Sequence, residues 1–186
     1  RLGKHCLLTG LRYLPSIAGI DFGPGHSSLT ELYTVKRLHG LVLPPGMVFS
    51  GLASVESIGH IQYTGKAPVL RGLPDDVKIS IPKLLPSEMQ LLRHIKTEHV
   101  YMASFHCGTS HCLAGWVEFL KKPGQCISDI HGNSDNWKRS YAIGAKYLPN
   151  MAPFFMSTNL STPIKKLLQR IQALPVSRAE AALRPL

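Results

Sequence analysis

The stretch Leu43-Pro44-Pro45-Gly46-Met47-Val48-Phe49-Ser50 returns thirty positions later as Leu73-Pro74-Asp75-Asp76-Val77-Lys78-Ile79-Ser80. Leu14-Pro15-Ser16-Ile17 is a fainter copy, twenty-nine positions before the first. Between them, Leu32-x-x-Val35-x-x-Leu38 is echoed by Val55-x-x-Ile58-x-x-Ile61. An internal repeat restricts the fold strongly. A single short unit cannot bury its apolar face, whereas stacked neighbours share a continuous core. The phrase suits short strands laid side by side, each opened by a proline turn. The plainer alternative is an irregular β-rich region with proline turns.

The repeat lies in a stretch rich in glycine and proline that shows no long helical period. At Pro86 the pattern changes. Pro86-Ser87-Glu88 suits a first helical turn, with proline pre-setting φ and an acid near the positive end of the dipole. Leu91, Leu92 and Ile95 then keep helical spacing. A second helix is expected over 110–121, capped by Thr109, and a third from Asp135 to Leu148, with Trp137, Tyr141, Ala145 and Leu148 on one stripe. The fourth has Thr162 as cap and Pro163 at its first position. Ile164, Leu167, Leu168, Ile171 and Leu174 form its apolar face, and Lys165, Lys166 and Arg170 its wet side. Pro175 ends it, and an alanine-rich tail runs from Arg178 to Leu183. The fold class expected is α+β. A short, irregular β-rich lobe over residues 1–84 packs on a bundle of about four helices over 85–186, which carries the cysteine–histidine motif. A chain of 186 residues suffices for one such core.

Chemistry concentrates in Phe105-His106-Cys107-Gly108-Thr109-Ser110-His111-Cys112-Leu113-Ala114-Gly115-Trp116. On a helix starting near Thr109, Cys112 faces inward with Leu113, Trp116 and Val117, and behaves as a small hydrophobe. Cys107 falls just ahead of the helix, where the amide ends lower a thiol's pKa. That is a setting for a nucleophile, with the amides at Thr109 and Cys112 serving as an oxyanion hole. His111 is one candidate base. His131 is the other, oriented by Asp129 or Asp135. The same atoms permit a metal reading, with Cys107, His111, Cys126 and His131 as ligands for zinc. The default is a structural cluster with no cofactor. Gly115 costs a helix about 1 kcal/mol relative to alanine, so a close neighbour or ligand is expected there.

The net charge of +10 favours anionic partners: an acidic protein surface, nucleic acid or an anionic membrane face. The basic residues are scattered without interleaved aromatics, which argues against a base-stacking surface. No stretch reaches 18 apolar residues, so no membrane span is expected. Four cysteines, Cys6, Cys107, Cys112 and Cys126, are too few for a disulfide scaffold, so reduced thiols and a cytoplasmic location are the default. The Asn159-Leu160-Ser161 sequon carries little weight without secretion.

The repeat region resembles the degenerate leucine-rich ladders of some bacterial and phage proteins. His106, Cys107, Gly108, Thr109, His111, Cys112, Ala114, Gly115 and Trp116, followed by Leu148, Pro149, Phe154, Phe155 and Met156, resemble a group of uncharacterised bacterial and phage-borne proteins. Those carry an H-C-G-T-x-H-C-x-A-G-W motif, sometimes after leucine-rich-like repeats. The likeness covers about residues 100–175. It implies one structural unit there and no particular reaction. The sequence therefore favours a binding or interaction protein with a protein partner. A thiol-dependent hydrolase or transferase using Cys107 is the alternative, and a zinc-stabilised module the second.

Overall fold

The computed structural model describes residues 2, 8–102, 106–107, 110–121, 134–155 and 159–177. Its first half is a ladder of parallel strands wound in rungs. In one sheet β1 (Ser16–Ala18), β3 (Arg37–Leu43), β5 (Ser57–Tyr63) and β7 (Lys78–Ile79) lie side by side in that order. A second sheet holds β2 (Ser28–Leu29), β4 (Val48–Phe49) and β6 (Val69–Leu70). Each turn of chain visits the first sheet, then the second, and returns one strand further along, which is how strands this short can all run parallel.

The register fixes the rung length. Ser16 pairs with Arg37, Arg37 with Ser57, and Ser57 with Lys78, intervals of 21, 20 and 21 residues. The thirty-residue echo is thus overturned: Leu43 pairs with Tyr63, and Val48 with Val69. The true repeat is Leu32-x-x-Val35-x-x-Leu38 followed by Leu52-x-x-Val55-x-x-Ile58, one rung apart, and all six side chains are buried. The prolines of the two matched phrases belong to different corners of the coil. Stacks of equivalent residues fill the interior: Ile17, Leu38, Ile58 and Ile79 from the first sheet, and Leu29, Phe49 and Leu70 from the second. The pattern extends towards the N-terminus. Leu8 and Leu11, twenty-one positions before Leu29 and Leu32, are partly buried against the same core.

The corners need a left-handed backbone. Gly19, Gly40 and His60 occupy one corner of successive rungs at φ of 66°, 63° and 50°. Glu31, Gly51 and Gly72 occupy another at 62°, 77° and 78°. Glycine adopts this region without a Cβ penalty; His60 and Glu31 do not.

The second half is helical, with α1 (Pro86–His94), α2 (Leu113–Lys121), α3 (Ser134–Tyr147) and α4 (Ser161–Gln172) among the described residues, plus 3-10 turns at Thr97–His99 and Pro149–Phe154. The chain is α+β. Ile164, Leu167, Leu168 and Ile171 of α4 are buried as their spacing predicts. Leu174 lies beyond the helix and is 39% exposed. The cap also differs: α4 begins at Ser161, so Pro163 falls third in the helix and Thr162 is inside it. Ser161 instead accepts from the Met102 amide through Oγ at 2.8 Å. The alanine-rich tail from Arg178 lies outside the described residues.

The two halves share one hydrophobic core. Helix α4 covers the last strand, and Arg170 donates from Nη1 to the Ile79 carbonyl at 3.0 Å. Asn159, the sequon residue, donates its side-chain amide to the Leu73 carbonyl. The open edge of the ladder is blunted by these contacts. Gln172 joins the ends of α1 and α4, donating from Nε2 to the carbonyls of Leu92 and Ile95, each at 2.9 Å.

Candidate functional site

The cysteine–histidine segment is a hairpin followed by a helix. β8 (His106–Cys107) and β9 (Ser110–His111) pair antiparallel, with His106 opposite His111 and Cys107 opposite Ser110. Helix α2 begins only at Leu113, three residues later than the sequence predicts, because residues 110 and 111 are committed to strand pairing. Cys112 is the cap. Its carbonyl accepts the first helical bond from the Trp116 amide at 2.9 Å, and its Sγ accepts from the Gly115 amide at 3.4 Å. A thiol sulfur here stands in for the usual serine or threonine oxygen.

The sulfur at the tip of this helix is therefore that of Cys112, and the same residue is 6% exposed. Burial pushes its thiol pKa up, outweighing the lowering effect of the Gly115, Ala114 and Cys112 amides, and the nearby Glu118 raises it further. The thiol stays protonated at neutral pH and has no route to a substrate. Cys107 sits on the hairpin, five residues before that cap, so the expected helix-tip placement for residue 107 does not hold. Adjacent pairs in a hairpin take opposite faces. Cys107 and His111 belong to different pairs of that register. Thr109, Cys126, Asp129 and His131, offered as cap, ligand, orienting acid and base, lie outside the described residues. Among the described residues no group of three or more histidine, cysteine or acidic side chains is placed to hold a metal.

Behind the hairpin, α2 is sealed. Trp116 is 4% exposed and donates from Nε1 to the His99 carbonyl at 3.4 Å. Phe119 is 37% exposed and meets the Trp116 ring edge-on. A tight helix crossing occurs at Gly144 of α3. A Cβ there would lie 2.8 Å from the Ala114 Cβ and 2.7 Å from a Phe155 ring carbon.

A second polar cluster, not foreseen from the sequence, joins the halves. Glu88 is fully buried, yet all its bonds are made. Oε2 accepts from the Leu85 amide at 2.7 Å and from Asn150 Nδ2 at 2.7 Å, and Oε1 accepts from the Asn150 amide at 2.9 Å. Alongside, Tyr63 of β5 donates its hydroxyl to the Pro149 carbonyl at 2.5 Å. Burial first, then the fields of Tyr141 and Glu88, push the Tyr63 pKa up to about 12. The only local signal for Glu88 was its place in the first turn of a helix.

The third feature is the outward face of the ladder. Arg37, Ser57 and Lys78 form one cross-strand row, and His39, Gly59 and Ser80 form the next. Gly59 is buried between its neighbours in that row: a Cβ there would meet Ser80 at 2.7 Å and the His39 ring at 2.9 Å. His39 and His60 are exposed, with ring centroids 4.9 Å apart, edge to face. Lys36 bonds Glu56 at 3.0 Å. That bond, with the fields of Arg37 and Lys78, holds the Glu56 carboxyl below its usual range and keeps it ionised, and the three cations Lys36, Arg37 and Lys78 outnumber it. His60 became recognisable as an odd residue only once the rung length aligned it with Gly19 and Gly40.

Compared with family models, with curated proteins and with solved structures, the chain matches none. No described helix is long and apolar enough to cross a membrane.

Proposed function

We propose that this chain is a binding protein whose ladder face docks an acidic surface of a protein partner, with the helical half as a structural cap. The observation that carries the reading is the pair of rows on the exposed sheet. The exposed Arg37 and Lys78 flank the half-buried Ser57, and the exposed His39 stands in the next row beside the buried Gly59. A parallel ladder holds the backbone of such rows at fixed spacing, and like charges on it attract an acidic partner and set its register. The overall charge of +10 acts in the same direction. The thiol-transfer alternative gains nothing from Cys112, which is buried and protonated.

The test is fluorescence anisotropy with a labelled polyglutamate peptide at low ionic strength. Reversing the row, Arg37→Glu with Lys78→Glu, is expected to weaken binding at least tenfold, and Lys166→Glu on the exposed side of α4 less than twofold. Equal losses from both would refute a specific ladder surface. Tighter capture of a single-stranded oligonucleotide by the same row would replace the protein partner with nucleic acid.

A further inference from the structure

The second sheet of the ladder ends at β2, and the rung length says what should lie beyond that edge. Leu8 and Thr9 stand one rung before Leu29 and Thr30. A strand there would close the edge. Instead the chain turns into a 3-10 helix at Thr9–Tyr13, and a cleft of about 300 Å3 opens between that turn and residues 25–30. Small-molecule sites begin at about this volume.

The cleft is rich in hydrogen-bond donors. The carbonyls of Ser27 and Leu29 accept from the Val48 and Ser50 amides, at 2.9 and 3.0 Å, on the β4 side. In a trans peptide the N–H points opposite to the C=O of the same unit. The amides of Ser28 and Thr30 therefore point away from β4, to the edge where the cleft lies. Neither donates to a backbone carbonyl among the described residues. The exposed, hydroxyl-bearing Thr9, Ser28 and Thr30 line the same opening, and so does His26.

Arg12 supplies the charge at the cleft wall. Its Nη1 pairs with Glu31, and its guanidinium lies over the Tyr13 ring, 5.0 Å from the centroid. Its enclosed Nε makes no hydrogen bond, a need that a turn of the guanidinium towards an anion in the cleft would meet. Guanidinium, sheet-edge amides and hydroxyls match the acceptor-only oxygens of a phosphate group. We infer that this cleft binds the phosphate group of a small ligand, with Arg12 as the cation and the Ser28 and Thr30 amides as backbone donors. Leu8 offers the carbon part of such a ligand an apolar contact. Glu31 opposes the anion, since it holds Arg12 and repels a second negative charge. The cleft lies at the edge of the second sheet, apart from the docking rows on the first, so the two assignments stand or fall separately.

Titration of the 15N-labelled full chain with glucose 6-phosphate, followed by amide chemical shifts at constant ionic strength, tests the site. Saturable shifts are expected at Ser28 and Thr30. Inorganic phosphate should move the same amides, more weakly if the carbon part contributes and equally if the phosphate alone is bound. Glucose should move neither. Arg12→Gln is expected to weaken binding at least fivefold, and Glu31→Gln to tighten it at least twofold. Ser28→Asp places a negative charge in the cleft without touching Arg12 and should abolish binding, which keeps the test decisive if Arg12→Gln unfolds. Thermal melts check each variant. Lys78→Glu, which damages the docking row, should stay within twofold of the parent. The assignment is overturned by any of four results: no saturable shift at Ser28 and Thr30, equal shifts with glucose, no gain in Glu31→Gln, or a loss in Lys78→Glu as large as in Ser28→Asp.

Discussion

The ladder and the helical half are stabilised in different ways. In the ladder each inward position is supported by its equivalents one rung away, as Leu38 is by Ile17 and Ile58. The information is redundant, so an apolar side chain of similar volume serves. The helical half depends on contacts made once. Glu88 ties α1 to the turn at Pro149–Phe154, Gln172 ties α1 to α4, and Asn159 ties the approach to α4 to the ladder. Repetition tolerates replacement, whereas single polar anchors do not.

The largest test of that contrast is Glu88→Ala. It removes the buried acceptor of three hydrogen bonds, from the Leu85 amide and from the backbone and side-chain amides of the half-buried Asn150. Hydrogen bonds to a charged group contribute roughly 1.5–3 kcal/mol each, so a loss of about 3 kcal/mol or more is expected. Leu52→Ile in the ladder conserves volume and is expected to cost under about 1.5 kcal/mol. Urea midpoints at constant slope measure both. If the two changes cost the same, the distinction between redundant and singular anchoring is wrong.

A smaller effect tests the seam where the halves meet. Tyr63 titrates near 12 in the folded chain against an ordinary value of 10.0. Between those two values the folded state holds the proton more tightly than the unfolded state. The hydroxyl's contribution is therefore complete below about pH 10 and is lost as pH rises towards 12. Loss of the proton also removes the donor to the Pro149 carbonyl. The melting temperature of the parent should fall more steeply between pH 9.5 and 11.5 than that of Tyr63→Phe. Parallel curves would mean that the seam contributes nothing at alkaline pH.

Local patterns in the sequence carried the class, the change of grammar at Pro86 and the buried stripe of α4, because amphipathic spacing is a local property. The rung length was present too, in Leu32-x-x-Val35-x-x-Leu38 and Leu52-x-x-Val55-x-x-Ile58. It was obscured because Leu-Pro pairs recur at corners that are not equivalent. The start of α2 is not a local property: Thr109 is a good cap by residue type, and only the pairing of Ser110 and His111 moves the cap to Cys112. Glu88 could be read as a first-turn acid but not as a buried anchor, since Asn150 lies sixty-two residues downstream. Nor does any local pattern mark His39 and His60 as neighbours. That requires the register of β3 and β5.

The smallest expected effect bears most directly on function. His60 holds φ at 50° in a corner where the two preceding rungs use glycine, and Glu31 holds 62° where the two following rungs do. A left-handed backbone costs a residue with a Cβ roughly 1–2 kcal/mol. Part of that is offset for His60 by its edge-on contact with the His39 ring. Glu31 is offset by its ion pair with Arg12. His60→Gly removes the strain and the ring contact together, whereas His60→Ala loses the contact and keeps the strain. The first variant should be the more stable by about 1 kcal/mol, read from thermal or urea unfolding. An alanine variant as stable as the glycine one would show that the corner is unstrained and that position 60 is ordinary. If the ordering holds, the imidazole at position 60 is retained against a backbone preference. The polyglutamate affinity of His60→Gly then separates two causes: a fall places the strained side chain in the docking face, and an unchanged affinity leaves it as local packing on His39.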